Sequence, residues 1–475
     1  MLLSKEQREA LWHQVAEAIE NYIETVADER VTPELDPMKI RALLEPVDFS
    51  EPMNPSDAVD FIVKGLSKYQ THTPHPRYYG LFNPAPTPMG IAADALVAAF
   101  NPQLAAWSHS PLAIEIERHL VRAFGTRFGY PASDTDGTFT NAGAEANHTA
   151  VLVALVRAFP EYGTKGIRSL EAQPTLYVSS ESHHSLLRAA RISGIGAEAV
   201  REVPVDTDLR MIPSELQSQI RRDRKAGCAP FMIAATVGTT SAGTIDPIIP
   251  IAEVAEEEEL WFHADAAWGG AAVLVPELRH LLEGIERSNS ITFDAHKWLS
   301  VPMAAGLFIT SDAEILEKAF RIPTLYMPKE AAGLDVADPY AYTIQWSRRF
   351  IGLKVFLSLA VAGWKGYEET IRNQTAVGIH LKDSLQAHGW EIVNKTPLPI
   401  VCFVDTEHPQ GRSIDYLDAI AGEIVSSGKA WISTTKLGGG KPALRACITN
   451  YRTDGSDIAA LVGDLDWARG RVLGM

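Results

Sequence analysis

Cysteine, basic charge and long apolar runs are all scarce in this 475-residue chain. The three cysteines, Cys228, Cys402 and Cys447, share no C-x-x-C spacing. An odd, scattered set argues against a disulfide framework or a zinc knuckle and fits a reducing, cytoplasmic setting. Lys and Arg number 43 against 59 Asp and Glu, for a net charge of -16. An acidic chain with no basic run is a poor partner for nucleic acid. No apolar stretch approaches the ~18 residues that cross a bilayer, so no membrane association is expected. Met1-Leu2-Leu3-Ser4-Lys5-Glu6 has neither a continuous apolar core nor a cleavage site. Several common motifs are missing as well: G-x-G-x-x-G, G-x-S-x-G and H-E-x-x-H. Gly438-Gly439-Gly440-Lys441 lacks the first glycine of a phosphate loop and has Pro442 in the Ser/Thr place. His183-His184 has no carboxylate at helical spacing, so no metal site is expected.

What remains is the composition of an ordinary globular protein, 46% hydrophobic and 21% charged, long enough for a sizeable core. Residues 5–70 read as helices, with Leu11, Val15, Ile19 and Ile23 on one apolar face. Prolines 74, 76, 84, 86 and 88 make Thr71–Pro88 a turn-rich connector. From about 90 to 310, helical patterns alternate with apolar runs at Leu176–Ser179, Phe231–Ala235, Leu260–Phe262 and Ser290–Phe293. That alternation predicts an α/β fold with a mostly parallel sheet flanked by helices. A late segment, with strands at Ile400–Val404 and Leu444–Thr449, reads as a small α+β domain. The expected division is 1–88, 89–355 and 356–475.

Three of these strand ends deliver reactive groups. Leu260–Phe262 runs into His263-Ala264-Asp265-Ala266-Ala267, Ser290–Phe293 into Asp294-Ala295-His296-Lys297-Trp298, and Leu176–Ser179 into Ser180-Glu181-Ser182-His183-His184-Ser185. Ligands of open parallel sheets sit beyond the carboxyl ends of the strands. Taken singly, an Asp after a strand often caps a helix and a Lys there is often a surface charge. Flanked by Ala and Trp, however, two charges need a specific partner, because burying a lone charge is costly. Asn141-Ala142-Gly143-Ala144-Glu145-Ala146-Asn147 leads into the apolar helix Thr149–Phe159, and a helix N-terminus of small residues favours an anion such as phosphate. One cofactor, pyridoxal 5'-phosphate (PLP), uses all four parts: a lysine, an anion at the pyridine nitrogen, a phosphate cradle and a flat group over the ring. Lys297, Asp265, the Gly143-Ala144 turn and His184 fit those jobs in order.

Through most of its length the chain resembles the group II PLP-dependent amino-acid decarboxylases, related to aromatic-L-amino-acid decarboxylases. The resemblance rests on His263-x-Asp265-Ala-Ala, His296-Lys297-Trp298, Ser347-Arg348-Arg349, Ser110-Pro111-x3-Glu115-x-Glu117 and Gly238-Thr239-Thr240. It implies a fold-type I enzyme with a seven-stranded-type sheet, working as a homodimer through its N-terminal helices, although the stripe at residues 11–23 could equally serve an intramolecular core. It also implies that Lys297 carries the cofactor, that Asp265 pairs with the pyridine nitrogen and that His184 stacks on the ring, leaving His183 incidental. Gly143 and Ala144 match backbone donors to the phosphate, and Thr240 and His296 match neighbours of the cofactor. Asp294 departs from the asparagine common in aromatic members and is not assigned to the phosphate.

The implied reaction converts an L-amino acid to its amine and carbon dioxide through an external aldimine and a quinonoid. Tyr326, 29 residues after Lys297, matches the loop tyrosine expected to return a proton to the α-carbon. A buried ring with an exposed hydroxyl is the competing reading of this tyrosine. Gly333 to Pro339 continues a loop suited to a lid. Phenylalanine at the tyrosine position goes with aldehyde synthesis, so the tyrosine favours decarboxylation. His75–Pro84 and Gln103–Trp107 resemble the walls of the substrate pocket, with Phe82 and Trp107 as aromatic surface and Ala105 where a bulkier residue is common. No arginine stands clearly where a second carboxylate would be clamped, and Arg77 reads as a surface residue. An aromatic or bulky neutral substrate is therefore expected. Aldehyde synthase, aminotransferase and non-catalytic scaffold are the competing readings.

Overall fold

The computed structural model describes residues 2–474, except 325, 326, 329 and 332. Tyr326 therefore lies outside the described residues.

The main sheet has seven strands: β1 (Asp136–Thr140), β2 (Pro174–Ser179), β3 (Val200–Val203), β4 (Ala229–Thr236), β5 (Trp261–Asp265), β6 (Ser290–Asp294) and β7 (Gly306–Thr310). Their order across the sheet is β1-β7-β6-β5-β4-β2-β3. Strands β3, β2, β4, β5 and β6 run parallel, while β7 is antiparallel to both neighbours, β6 and β1. Helices cover both faces, so β4 is largely apolar and β6 is buried throughout, its Ser290, Thr292 and Asp294 included. The carboxyl ends of β1, β2, β4, β5 and β6 consequently open on one edge. Strand β5 extends three residues past the expected Leu260–Phe262, through His263 and Asp265. Hydrogen bonds rather than hydrophobicity hold those polar residues inside.

A second, antiparallel sheet of four strands follows: β8 (Trp390–Ile392), β9 (Ile400–Asp405), β10 (Ser433–Leu437) and β11 (Lys441–Cys447), in the order β10-β11-β9-β8. The glycine tract 438–440 is the turn between β10 and β11. A helix from Gly352 to Ala387 joins the two sheets. The expected boundary at 355/356 falls inside that helix, and its backbone breaks instead at Gly363 (φ 64°, ψ 171°).

The N-terminal segment forms helices Lys5–Thr25, Pro37–Leu44 and Pro55–Tyr69. The first begins with a capping box, in which Ser4 and Gln7 satisfy each other's backbone N–H. None of the three has a fully buried residue. The proline-rich connector is well buried and laced to the small domain. Tyr79 N–H donates to the Trp431 carbonyl, Asn450 to the carbonyls of Pro74 and His75, and Thr453 to that of Pro76. Among the described residues, no helix is long and apolar enough to cross a membrane.

Candidate active site

Asp265 ends β5 and is 4% exposed. Its Oδ2 accepts from Asn147 Nδ2 at 2.8 Å and its Oδ1 from the Ala267 N–H at 3.3 Å. On the neighbouring strand, β6 ends at Asp294 and a single helical turn, Ala295–Trp298, presents Lys297. Lys297 Nζ lies 3.1 Å from Asp294 Oδ2 and 5.7 Å from the centre of the Phe82 ring. Asp294 is 1% exposed, and among the described residues neither of its oxygens accepts a hydrogen bond. The Lys297 ammonium is thus its charged partner, a role the sequence did not suggest.

The structure reverses the histidine pair. His183 is the member whose electrostatic neighbours are Asp265, Lys297 and Asp294. Its Nδ1 is fixed by the hydroxyl of Ser185 at 2.9 Å and the Ser185 N–H at 3.2 Å. Burial pushes its pKa down, keeping the ring neutral. His184, expected over the ring, is the N-cap of helix Ser185–Ile192; both histidines are exposed, and the bonds from Ser185 are what set His183 apart. The turn after β2 decides which of two adjacent, identical residues faces the crevice.

The helix Gly143–Ala158 starts behind Ala142, which makes no side-chain cap. The Glu145 and Ala146 N–H groups already bond the Ala142 carbonyl, which leaves the Gly143 and Ala144 N–H groups as the free donors of the first turn. A Cβ on Gly143 would lie 2.7 Å from Asp294 Oδ2, so only glycine fits. His296 is buried, and its Nδ1 accepts from the Ala305 N–H at 3.1 Å. Burial lowers its pKa, so it is neutral and its one proton sits on Nε2. The Gly238-Thr239-Thr240 turn is tight. Gly238 has φ 95° and Trp268 Nε1 bonds its carbonyl at 2.7 Å.

Of the two expected pocket walls, only Phe82 meets the lysine. It stacks on Trp268 with ring centres 4.8 Å apart and takes φ 61°, an unusual conformation for a bulky residue. Trp107 packs instead with the cluster Val97, Leu104, Ala113, Ile114 and Phe350, and its Nε1 donates to Glu115 at 2.9 Å. Among the described residues, Phe82 and Trp107 pack in separate clusters. Residues 105–107 bond the segment 338–340: Trp107 N–H donates to Asp338 at 2.7 Å and Tyr340 N–H to the Ala105 carbonyl at 3.1 Å.

Two residues at the site escaped the sequence reading. Asn147 stands one turn into the cradle helix, inside a quoted motif, and only its 2.8 Å bond to Asp265 reveals a role. Arg445 comes from β11 of the small sheet and is 3% exposed. Its Nε donates to the Thr240 carbonyl at 2.8 Å, its guanidinium lies 5.1 Å from the Phe82 ring centre, and its Nη2 has no acceptor among the described residues.

Behind Asp265, His263 is fully buried, and burial pushes its pKa down to about 4. An unfolded histidine titrates near ~6.5, so below that pH the unfolded chain binds a proton that the folded chain refuses. Stability should therefore fall as pH drops from about 6.5 to about 4, by roughly 3 kcal/mol for this residue. Replacing His263 with glutamine should flatten that part of the stability–pH curve; an unchanged slope would remove His263 as its source.

A lysine, a hydrogen-bonded carboxylate, a neutral histidine and free helix N–H groups with a neutral imidazole donor are what PLP needs. The residues present fit it. A family profile described as the pyridoxal-dependent decarboxylase conserved domain matches residues 37–405. An aromatic-L-amino-acid decarboxylase of Bacillus atrophaeus is 29% identical over 470 residues, covering 97% of this chain and 95% of that protein. An acidic amino acid decarboxylase of Xenopus tropicalis is 30% identical over 371 residues, covering 78% and 72%. The crystal structure of mouse CSAD superposes with a TM-score of 0.92 at 26% identity, over 98% of this chain and 99% of that one. The strand-end lysine and aspartate and the match along the chain lead to one conclusion: this protein belongs to the pyridoxal-dependent decarboxylase family and is a PLP-dependent amino-acid decarboxylase.

Proposed function

We propose that this enzyme removes the α-carboxylate of an aromatic or bulky neutral L-amino acid, releasing the amine and carbon dioxide. The observation that carries the reading is the pairing at neighbouring strand ends: Lys297 on β6 and Asp265, fixed by two donors, on β5. When bound, the cofactor supplies the electron sink for the bond that breaks. Lys297 would anchor it, and Asp265 would hold a proton on its ring nitrogen. His183, in place of His184, would pack against the ring. Gly143, Ala144 and His296 would donate to the phosphate, with Thr240 beside them. Tyr326 returns the proton to the α-carbon, and Phe82 walls the substrate, with Trp107 serving the neighbouring active site across a dimer.

The support for a homodimer is the N-terminal surface. Trp12, Met38, Phe100 and Leu112 are exposed, and a cavity of about 590 Å³ opens among Val15, Ile19, Tyr22, Val63, Leu66 and Ile91. A second copy covers this face. The acidic composition and scattered cysteines support a cytoplasmic enzyme.

Arg445 favours a second reading, a substrate with an acidic side chain. Its Nη2 is a buried cationic donor without an acceptor among the described residues, next to the ring of Phe82. Mass spectrometry of products from tyrosine, tryptophan, phenylalanine, leucine, glutamate and aspartate decides between them. Amine with stoichiometric carbon dioxide from the first four supports the proposal, and turnover of glutamate or aspartate alone overturns the substrate class. Aldehyde with ammonia would make the enzyme an aldehyde synthase. Keto acid without carbon dioxide would mean transamination. Tyr326→Phe should suppress amine formation by about 10²-fold or more, the scale of a lost general acid. Unchanged amine turnover removes its role.

A further inference from the structure

We propose that Asn147 is a positioning residue that holds the Asp265 carboxylate and the His183 ring in one hydrogen-bonded assembly. The proposal rests on the assignment of Asp265 and His183 to the cofactor ring. Asn147 Nδ2 donates to Asp265 Oδ2 at 2.8 Å and to Ser185 Oγ at 2.7 Å. Ser185 in turn holds His183 Nδ1 through both its hydroxyl and its backbone N–H. One amide group therefore connects the group below the ring nitrogen with the group above the ring face.

The direction of every bond follows from its neighbours. Trp261 Nε1 can only donate, and it donates to Ser290 Oγ at 2.9 Å. The Ser290 hydroxyl then gives its hydrogen to His263 Nδ1 at 2.8 Å. His263 is neutral at pH 7, so its single proton lies on Nε2, which donates to Asn147 Oδ1 at 3.0 Å. Thr292 Oγ1 donates to the same oxygen at 2.7 Å. With Oδ1 claimed by two donors, the amide nitrogen must face Asp265. The flipped amide would set an oxygen against a carboxylate. On the other branch, Ser185 Oγ accepts from Asn147 and gives its hydrogen to His183 Nδ1. That places the His183 proton on Nε2, away from Ser185.

Asn147, Ser185, His263, Ser290 and Thr292 are all buried, so water does not replace a lost partner. Removing the amide strands donors at His263 and Thr292 and deprives Asp265 of its shorter hydrogen bond. Truncating Ser185 cuts only the branch to His183.

The test compares wild type, Asn147→Leu, Ser185→Ala, Ser185→Thr and Asp265→Asn. Each apoprotein is titrated with PLP, the circular dichroism of the bound cofactor is recorded, and kcat and KM are measured. Asn147→Leu should weaken PLP binding about tenfold or more and change the cofactor dichroism in the same sense as Asp265→Asn. Ser185→Ala should keep PLP affinity within about threefold and lower kcat with little change in KM, and Ser185→Thr, which keeps the hydroxyl, should restore it. A folded Asn147→Leu protein with wild-type affinity and dichroism, alongside an altered Asp265→Asn, overturns the positioning role alone. An Asp265→Asn protein that matches wild type in both overturns the assignment of Asp265 and the proposal with it. If Asn147→Leu does not fold, the Ser185 pair decides, and unchanged kcat in Ser185→Ala overturns the assembly.

Discussion

Lys297→Ala should lower amine formation by at least about 10³-fold, the scale of losing a covalent group from a catalytic site. The purified variant should also lose the visible absorbance of lysine-bound cofactor, and borohydride should no longer attach the cofactor to the chain. These readouts belong to Lys297 because it is the lysine at the carboxyl end of β6, beside the strand that presents Asp265. The substitution has a second consequence. Asp294 is buried and among the described residues its oxygens accept no hydrogen bond, so the Lys297 ammonium at 3.1 Å is its compensation. Removing it strands a buried carboxylate, which is costly. The apoprotein should therefore unfold at a lower temperature than wild type, and Asp294→Asn on the Lys297→Ala background should recover part of the loss. Retained absorbance and activity would overturn the assignment of Lys297.

The second large effect concerns stability. Arg348 and Glu117 form an ion pair at 2.5 Å with both side chains almost wholly buried. Glu117 Oε1 also accepts from the N–H groups of Ile351 and Gly352, where the long helix to the small domain begins. Among the described residues Arg348 Nε and Nη1 find no acceptor, so the guanidinium depends on this one carboxylate. Arg348→Met should destabilise the protein by about 3–5 kcal/mol, the range for breaking one side of a buried pair. The double variant Arg348→Met, Glu117→Gln should be less destabilised, because no unpaired charge remains inside. Thermal unfolding of the holoenzymes measures both. The pair sits where the segment following the lid rejoins the core, and Gln345 donates to Glu145 on the cradle helix at 2.7 Å nearby. Both Ser347-Arg348-Arg349 and the Glu117 motif stood out in the sequence, and the structure explains them together as one clasp.

The legible part of the fold was the part dominated by a single local signal. Strands β2 and β4 carry apolar runs because helices bury both their faces, and with Ile291 and Phe293 in β6 their sequences read as strands. Strand β1, Asp136-Gly137-Thr138-Phe139-Thr140, carries too little apolar character to stand out. Strand β7 is an apolar run of five residues, a length at which periodicity does not separate a strand from a buried helical segment. The long helix runs through the expected boundary at 355/356 and breaks at Gly363, where the backbone takes φ 64°.

The sequence by itself determined the chemistry of the site. A lysine and an aspartate, each following an apolar strand and each flanked by small or aromatic residues, place two charges at the ends of buried strands, and the glycine before an apolar helix marks an anion cradle. These signals are short-range, carried by residues within one strand–loop unit. Only the tertiary structure decided which histidine of an adjacent pair faces Asp265, that Asn147 ties Asp265 to Ser185, that Arg445 reaches Phe82 from another sheet, and that Arg348 finds Glu117. The physical reason is distance along the chain. Asn147 and Asp265 are 118 residues apart and Arg445 and Gly80 are 365 apart. Hydrogen bonds over such separations depend on how strands are ordered and where turns point, which no local pattern of residue types encodes.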